Sequence, residues 1–154
     1  MTGQHAPPKR RLQYAAVPYR RRDDGAIEVM LVTSRETKRW VIPKGWPIVG
    51  AKPHASAARE ALEEAGVVGR TDADAIGTYH YDKRLKNGAN ARCKVKVFPL
   101  EVKSQRKHWR EKGDRKARWF ETPKAAKAVQ EPGLRRLLRN LDTLVPTGKR
   151  ANRS

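Results

Sequence analysis

The sequence predicts an α/β sandwich built on a mixed sheet. Three observations carry this prediction. A β-branched run stands at Ile27–Val32, and a long stretch at Arg92–Leu100 alternates cations with apolar residues. Apolar residues recur at helical spacing in two places, after Pro53 and again near the C-terminal end. Strands flanked by helices on both sides in chain order point to layers rather than to a bundle or a barrel.

Taken in order, residues 1–11 read as a flexible basic tail carrying Lys9, Arg10 and Arg11, with Pro7-Pro8 and little to bury. Leu12–Tyr19 reads as a first strand. Asp23-Asp24-Gly25 supplies a turn into Ile27–Val32, the second strand. Arg39–Ile42 is a short third strand ended by Pro43, and residues 44–50 follow as a Gly/Pro loop.

The clearest helix comes next. Pro53 suits a first helical position and Gly66 the residue just past the end. Ala55, Ala58, Leu62 and Ala65 recur at helical spacing as one narrow apolar stripe, predicted to lie against the sheet. At 100° per residue, Glu60, Glu63 and Glu64 occupy a sector of about 100° on the other side, predicted to point away from the core.

Ile76–Lys83 and Arg92–Leu100 read as long strands joined by a hairpin through Asn87-Gly88. A period of two puts Arg92, Lys94 and Lys96 on one face and Cys93, Val95 and Val97 on the other. A polar loop over residues 104–118 leads to a short strand at Trp119-Phe120. Thr122-Pro123 opens a terminal helical region with Leu134, Leu137, Leu138 and Leu141 as its apolar face. Residues 146–154 read as a second flexible basic tail, leaving 12–145 as one domain.

Composition bounds the function. Lys and Arg number 35 against 16 Asp and Glu, a formal charge of +19. Such a field draws anions, whether phosphorylated small molecules, nucleic acid or an acidic membrane surface. The single Cys93 permits no intrachain disulfide and no cysteine-based zinc site. No uncharged run approaches the ~20 residues that span a bilayer, and Met1–Arg11 lacks a signal-peptide core. A cytoplasmic setting is the expectation. His5, His54, His80 and His108 show no ligand spacing, and Cys93 and Trp40 and Trp119 read as core or wall residues.

Like charges at i,i+4 on a helix cost roughly 0.2–0.5 kcal/mol per pair. Nearby cations or a bound metal would offset that cost for Glu60 and Glu64. Carboxylates are the ligands of hard ions such as Mg²⁺, which binds through a few of them together with substrate phosphates.

The flanking residues extend the pattern. Gly45, then Arg59-Glu60-Ala61-Leu62-Glu63-Glu64-Ala65-Gly66-Val67, resembles the signature box of the Nudix hydrolases, with Ala61 and Val67 at its apolar positions. The first glutamate of that box would fall at position 51, where this chain has Ala51. The resemblance implies a Nudix-type α/β/α sandwich with a mixed central sheet and a metal-dependent enzyme that hydrolyses a phosphoanhydride. It implies Glu60, Glu63 and Glu64 as ligands for Mg²⁺, or Mn²⁺ in its place, Arg59 as an orienting residue beside them, and Gly45 and Gly66 as backbone devices. The general base stays open between these glutamates and a loop residue.

Thr33-Ser34-Arg35, Arg39–Gly45, Trp109–Gly113 and Arg115–Phe120 resemble, within that family, the subgroup acting on diphosphoinositol polyphosphates and diadenosine polyphosphates. By that resemblance Ser34, Arg35, Lys44, Arg92, Arg115 and Lys116 are the candidate phosphate contacts, since arginine can grip two phosphate oxygens at once. The alternatives are a Nudix enzyme acting on nucleoside triphosphates or RNA 5′ ends, and a non-catalytic module binding RNA or a ligand. RNA is the less favoured partner.

Overall fold

The computed structural model describes residues 11–146. Both predicted tails fall almost wholly outside the described residues. Arg11 and Pro146 are described, and Arg11, expected in the tail, instead opens the first strand.

Strands β1 (Arg11–Arg21), β2 (Ile27–Thr33), β3 (Trp40–Val41) and β4 (Lys44–Gly45) precede helix α1 (Pro53–Ala65). Then come β5 (Val67–Thr71), β6 (Gly77–Arg84), β7 (Asn90–Gln105) and β8 (Ala117–Glu121). Helices α2 (Thr122–Ala128), α3 (Pro132–Arg139) and α4 (Leu141–Leu144) close the described chain. The strands form one mixed sheet in the order β3-β2-β1-β7-β5, with β4 paired to β1, β6 to β7 and β8 to β2. Its centre is the parallel pairing of β1 with β7, running from Arg11↔Cys93 to Tyr19↔Glu101.

Alternation explains why this sheet is covered on both faces. Ala15, Val17, Tyr19, Val29 and Leu31 point into a core with Ala125, Leu134, Leu138 and Leu141 from the C-terminal helices. Ala16, Met30, Val32 and Phe98 point the other way, onto Ala57, Ala61 and Ala65 of α1. Strands buried on both sides lose the clean polar face of a half-exposed strand, and every residue of β2 but Glu28 is buried. The result is an α/β/α sandwich.

Several boundaries differ from the sequence reading. Lys44-Gly45, read as loop, forms a two-residue strand against Tyr14 and Ala15. Strand β5 was not predicted; it follows α1 without a linker, because Gly66 at φ 73° turns the chain back beside its own helix. The terminal helical region divides at Pro132, which cannot donate to the preceding turn.

The helix stripe is also corrected. Ser56, Ala57, Ala61, Glu64 and Ala65 are the buried residues of α1, whereas Ala55 is exposed and Ala58 and Leu62 are half-buried. With alanines spread over nearly half the helix circumference, spacing alone does not choose the buried face.

Candidate active site

Strand β1 pairs with β2 only over Tyr19–Arg21 and then parts from it. The gap is filled by Pro43, whose carbonyl accepts from Ala16 N–H at 3.0 Å, and by β4. This split in the sheet opens a cleft of about 660 Å³. Seven cations line it, Arg35, Arg39, Lys44, Lys83 and Arg115 among them, against the acidic Glu36, Glu64 and Glu131.

The helix delivers its glutamates to this cleft unevenly. Glu64 is buried, at 4% exposure. Its carboxyl shares a hydrogen bond with that of Glu60, one turn earlier. The prediction that all the glutamates point away from the core is therefore wrong for Glu64, because its position borders the Ala57-Ala61-Ala65 stripe that packs on the sheet. Glu63 is turned to other partners, Arg59 Nε at 3.2 Å and Arg110 Nη1 at 3.9 Å. Among the described residues no three acidic, histidine or cysteine side chains already converge as a metal site.

Burial raises the Glu64 carboxyl to about 8, with Glu60 adding to the rise and Arg115 and Lys44 opposing it. Glu60 is raised as well, by burial first and then by the charges of Glu63 and Glu111. Lys44 is lowered by its own burial, against the pull of Glu64 and Glu131. Burial thus disfavours the charged forms of these groups, in spite of the cations around them.

Gly45 brings backbone against this pair. A Cβ at residue 45 would lie 2.4 Å from both Cδ and Oε2 of Glu60, so only glycine leaves the carboxyl its place. Neighbouring carboxyl oxygens whose charged forms burial disfavours fit a hard divalent cation, which would favour those charged forms. Glu60 and Glu64 would hold it, with Glu63 joining by exchanging its ion pair with Arg59, which is 64% exposed. At position 51 no carboxylate stands to hold Arg59; Ala51 donates its N–H to the Ile48 carbonyl at 3.0 Å.

The loop after β7 caps the same helix. Arg106 N–H donates to the Gly66 carbonyl at 2.8 Å and Glu111 N–H to the Glu63 carbonyl at 3.0 Å. These bonds satisfy carbonyls that a helix end leaves open. They also bring in Glu111, which sequence reasoning missed as a site residue; its one signal was an acidic group in a basic loop. Glu111 Oε1 accepts from Arg115 Nε at 2.7 Å. Arg115 Nη1 donates to the Thr33 carbonyl at 3.1 Å and lies 3.9 Å from Glu64.

Of the predicted phosphate contacts, Ser34, Arg35, Lys44 and Arg115 line the cleft. Arg92 and Lys116 are not brought there. Arg92 is on the open face of β7, 3.4 Å from Asp82 of β6, because its even register points it away from the Val95 side. Lys116 lines a separate pocket of about 560 Å³ with Lys38, Trp40 and Lys112. Lys83 was missed, although it shares a strand face with Tyr81, and so was Glu131.

Cys93 is fully buried, and Trp40 packs edge-on to Phe120 at 5.0 Å, as expected of core and wall residues. Trp119 lies under the Arg20 guanidinium at 4.0 Å.

A family profile described as the NUDIX domain matches residues 9–141. Nudix hydrolase 13, mitochondrial, from Arabidopsis thaliana is 30% identical over 107 residues, covering 66% of this chain and 53% of that protein. Diphosphoinositol polyphosphate phosphohydrolase 3-alpha from Mus musculus is 31% identical over 112 residues, covering 71% of this chain and 64% of that protein. The chain therefore spans between half and two thirds of the length of these relatives. Among solved structures, a C. elegans Ap4A hydrolase binary complex superposes with a TM-score of 0.63 at 24% identity, covering 86% of this chain and 95% of that one. No helix among the described residues is long and apolar enough to cross a membrane.

Proposed function

The chain belongs to the NUDIX domain family, and from that premise we propose that it is a metal-dependent hydrolase of phosphoanhydride bonds in polyphosphorylated small molecules. Dinucleoside polyphosphates and diphosphoinositol polyphosphates are the substrate classes in view. The observation that carries the reading is the Glu60–Glu64 pair, with Glu64 buried on the wall of a cleft lined by seven cations and the half-buried Glu60 one turn behind it.

The roles follow from position. Glu60, Glu64 and Glu63 hold Mg²⁺, or Mn²⁺ in its place. A bound divalent cation withdraws charge from a phosphoryl oxygen and acidifies a nearby water. Arg35, Lys44 and Lys83 grip the outer phosphates, and Arg115, locked by Glu111 and the Thr33 carbonyl, presents its guanidinium without rearranging. Arg59 tethers Glu63 from the solvent side. Glu111 lies within electrostatic reach of Glu60 and is our candidate for taking the proton of the attacking water. One domain over residues 12–145, with basic tails, carries all of these parts.

The test is a panel of diadenosine polyphosphates, nucleoside triphosphates, an inositol pyrophosphate and triphosphorylated RNA, each incubated with the protein and Mg²⁺. Cleavage of the dinucleotides or the inositol pyrophosphate supports the reading. Cleavage confined to RNA ends or triphosphates replaces the substrate, and RNA binding without any cleavage replaces the enzyme with a binding module.

A further inference from the structure

Glu131 immediately precedes α3 and lines the cleft. Its side chain is 10% exposed, and its Oε1 is buried with no hydrogen-bond partner among the described residues. The nearest cation, Arg39 Nη1, stands 3.9 Å from Oε2. That guanidinium is already engaged by Gln130 Oε1 at 2.5 Å and Thr37 Oγ1 at 3.2 Å. A buried carboxylate oxygen without a donor is unfavourable. Its charge also repels phosphate, so a pocket that only grips phosphates has no use for it.

A carboxylate accepts from O–H and N–H groups, and in an anhydride substrate only the organic part supplies them. Resting on the function proposed above, we propose that Glu131 selects that part, accepting a hydrogen bond from a free ribose hydroxyl of a nucleotide. Nucleotide-containing anhydrides are thereby favoured over cyclitols whose hydroxyls are all phosphorylated, which have no such donor and meet only repulsion. The layout agrees: Lys44 lies within electrostatic reach of Glu64 and of Glu131. A phosphate chain resting on Lys44 is thus within reach of both Glu64 and the sugar-reading carboxylate.

Binding without turnover tests this. Adenosine diphosphate, its dideoxy analogue lacking both ribose hydroxyls, inosine diphosphate and inositol hexakisphosphate are titrated calorimetrically into wild type, Glu131→Gln and Glu131→Ala. Wild type is expected to prefer adenosine diphosphate over the dideoxy analogue by about tenfold, the worth of one hydrogen bond to a charged group. Glu131→Ala should lose that preference, Glu131→Gln, which keeps a neutral acceptor, should retain only part of it, and inositol hexakisphosphate should bind more tightly to both. Circular dichroism verifies folding, and Glu131→Asp serves if the larger changes unfold the protein.

A uniform gain for every anion, with the hydroxyl preference intact, would make Glu131 a mere counter-ion and overturn the proposal. So would a preference lost with inosine diphosphate but kept by the dideoxy analogue, since that assigns the contact to the base amine. The hydrolysis panel is read separately. A wild type that cleaves no anhydride yet shows the hydroxyl preference loses the hydrolase reading and keeps this one.

Discussion

The indole of Trp109 occupies the space a side chain on Gly66 would need: a Cβ there would lie 2.2 Å from Trp109 Cε3. Gly66 also sits at φ 73°, its N–H closing α1 on the Leu62 carbonyl at 3.0 Å. One residue therefore ends the helix and seats the loop that carries Glu111 and Arg115. Gly66→Ala should cost about 2–4 kcal/mol, combining left-handed strain with overpacking. Urea denaturation measures it, and Trp109→Ala in the same chain should return part of the loss. Equal costs with and without Trp109 would dissolve the contact's importance.

Glu64→Gln and Glu63→Gln should each lower turnover by more than about a hundredfold while folding normally, since even changes to residues behind the ligands cost 10–100-fold. Steady-state kinetics on the preferred substrate decide this, with EDTA expected to stop the wild type. Wild-type turnover in both variants would remove the metal assignment.

Metal-free protein should lose stability as pH rises. Glu64 has its folded pKa raised from 4.5 to about 8, so between those values the folded state binds more protons than the unfolded chain. Stability then falls with rising pH across that window. Thermal melts in EDTA should show a falling Tm from about pH 5 to pH 8, flattened in Glu64→Gln and reversed by Mg²⁺. A flat wild-type profile would mean that the carboxyl pair is not strained.

The cleft cations should divide by burial. Arg35 is 62% exposed, so Arg35→Ala should chiefly raise KM for long phosphate chains. Arg115 is 12% exposed and bonded to Glu111 and Thr33, so Arg115→Ala should lower kcat and stability together. Arg92→Ala and Lys116→Ala, away from the cleft, should stay within about 0.5 kcal/mol in stability, with unchanged KM. A raised KM in Arg92→Ala would return that strand face to the binding surface.

Cys93 should resist thiol reagents in the native state, because burial raises its thiol and its side chain is 0% exposed. Aromatic disulfide titration with and without denaturant reads the difference, and fast native labelling would contradict the packing of β7.

What the sequence by itself determined were the features written in local spacing. The helix Pro53–Ala65 with its Gly66 cap, the alternation along β7 and the Gly45-to-Gly66 signature all lie within a few turns of chain, where periodicity and backbone chemistry suffice. Tertiary structure decided the rest. Which alanine stripe of α1 is buried, and hence that Glu64 rather than Glu63 enters the interior, depends on the sheet it meets. That Glu111 and Glu131, from segments far along the chain, approach Glu60 and Lys44 follows from the parting of β1 and β2 and from a loop anchored on the end of a helix. Desolvation and charge coupling act through space, and no spacing along one strand or helix encodes a meeting of distant segments.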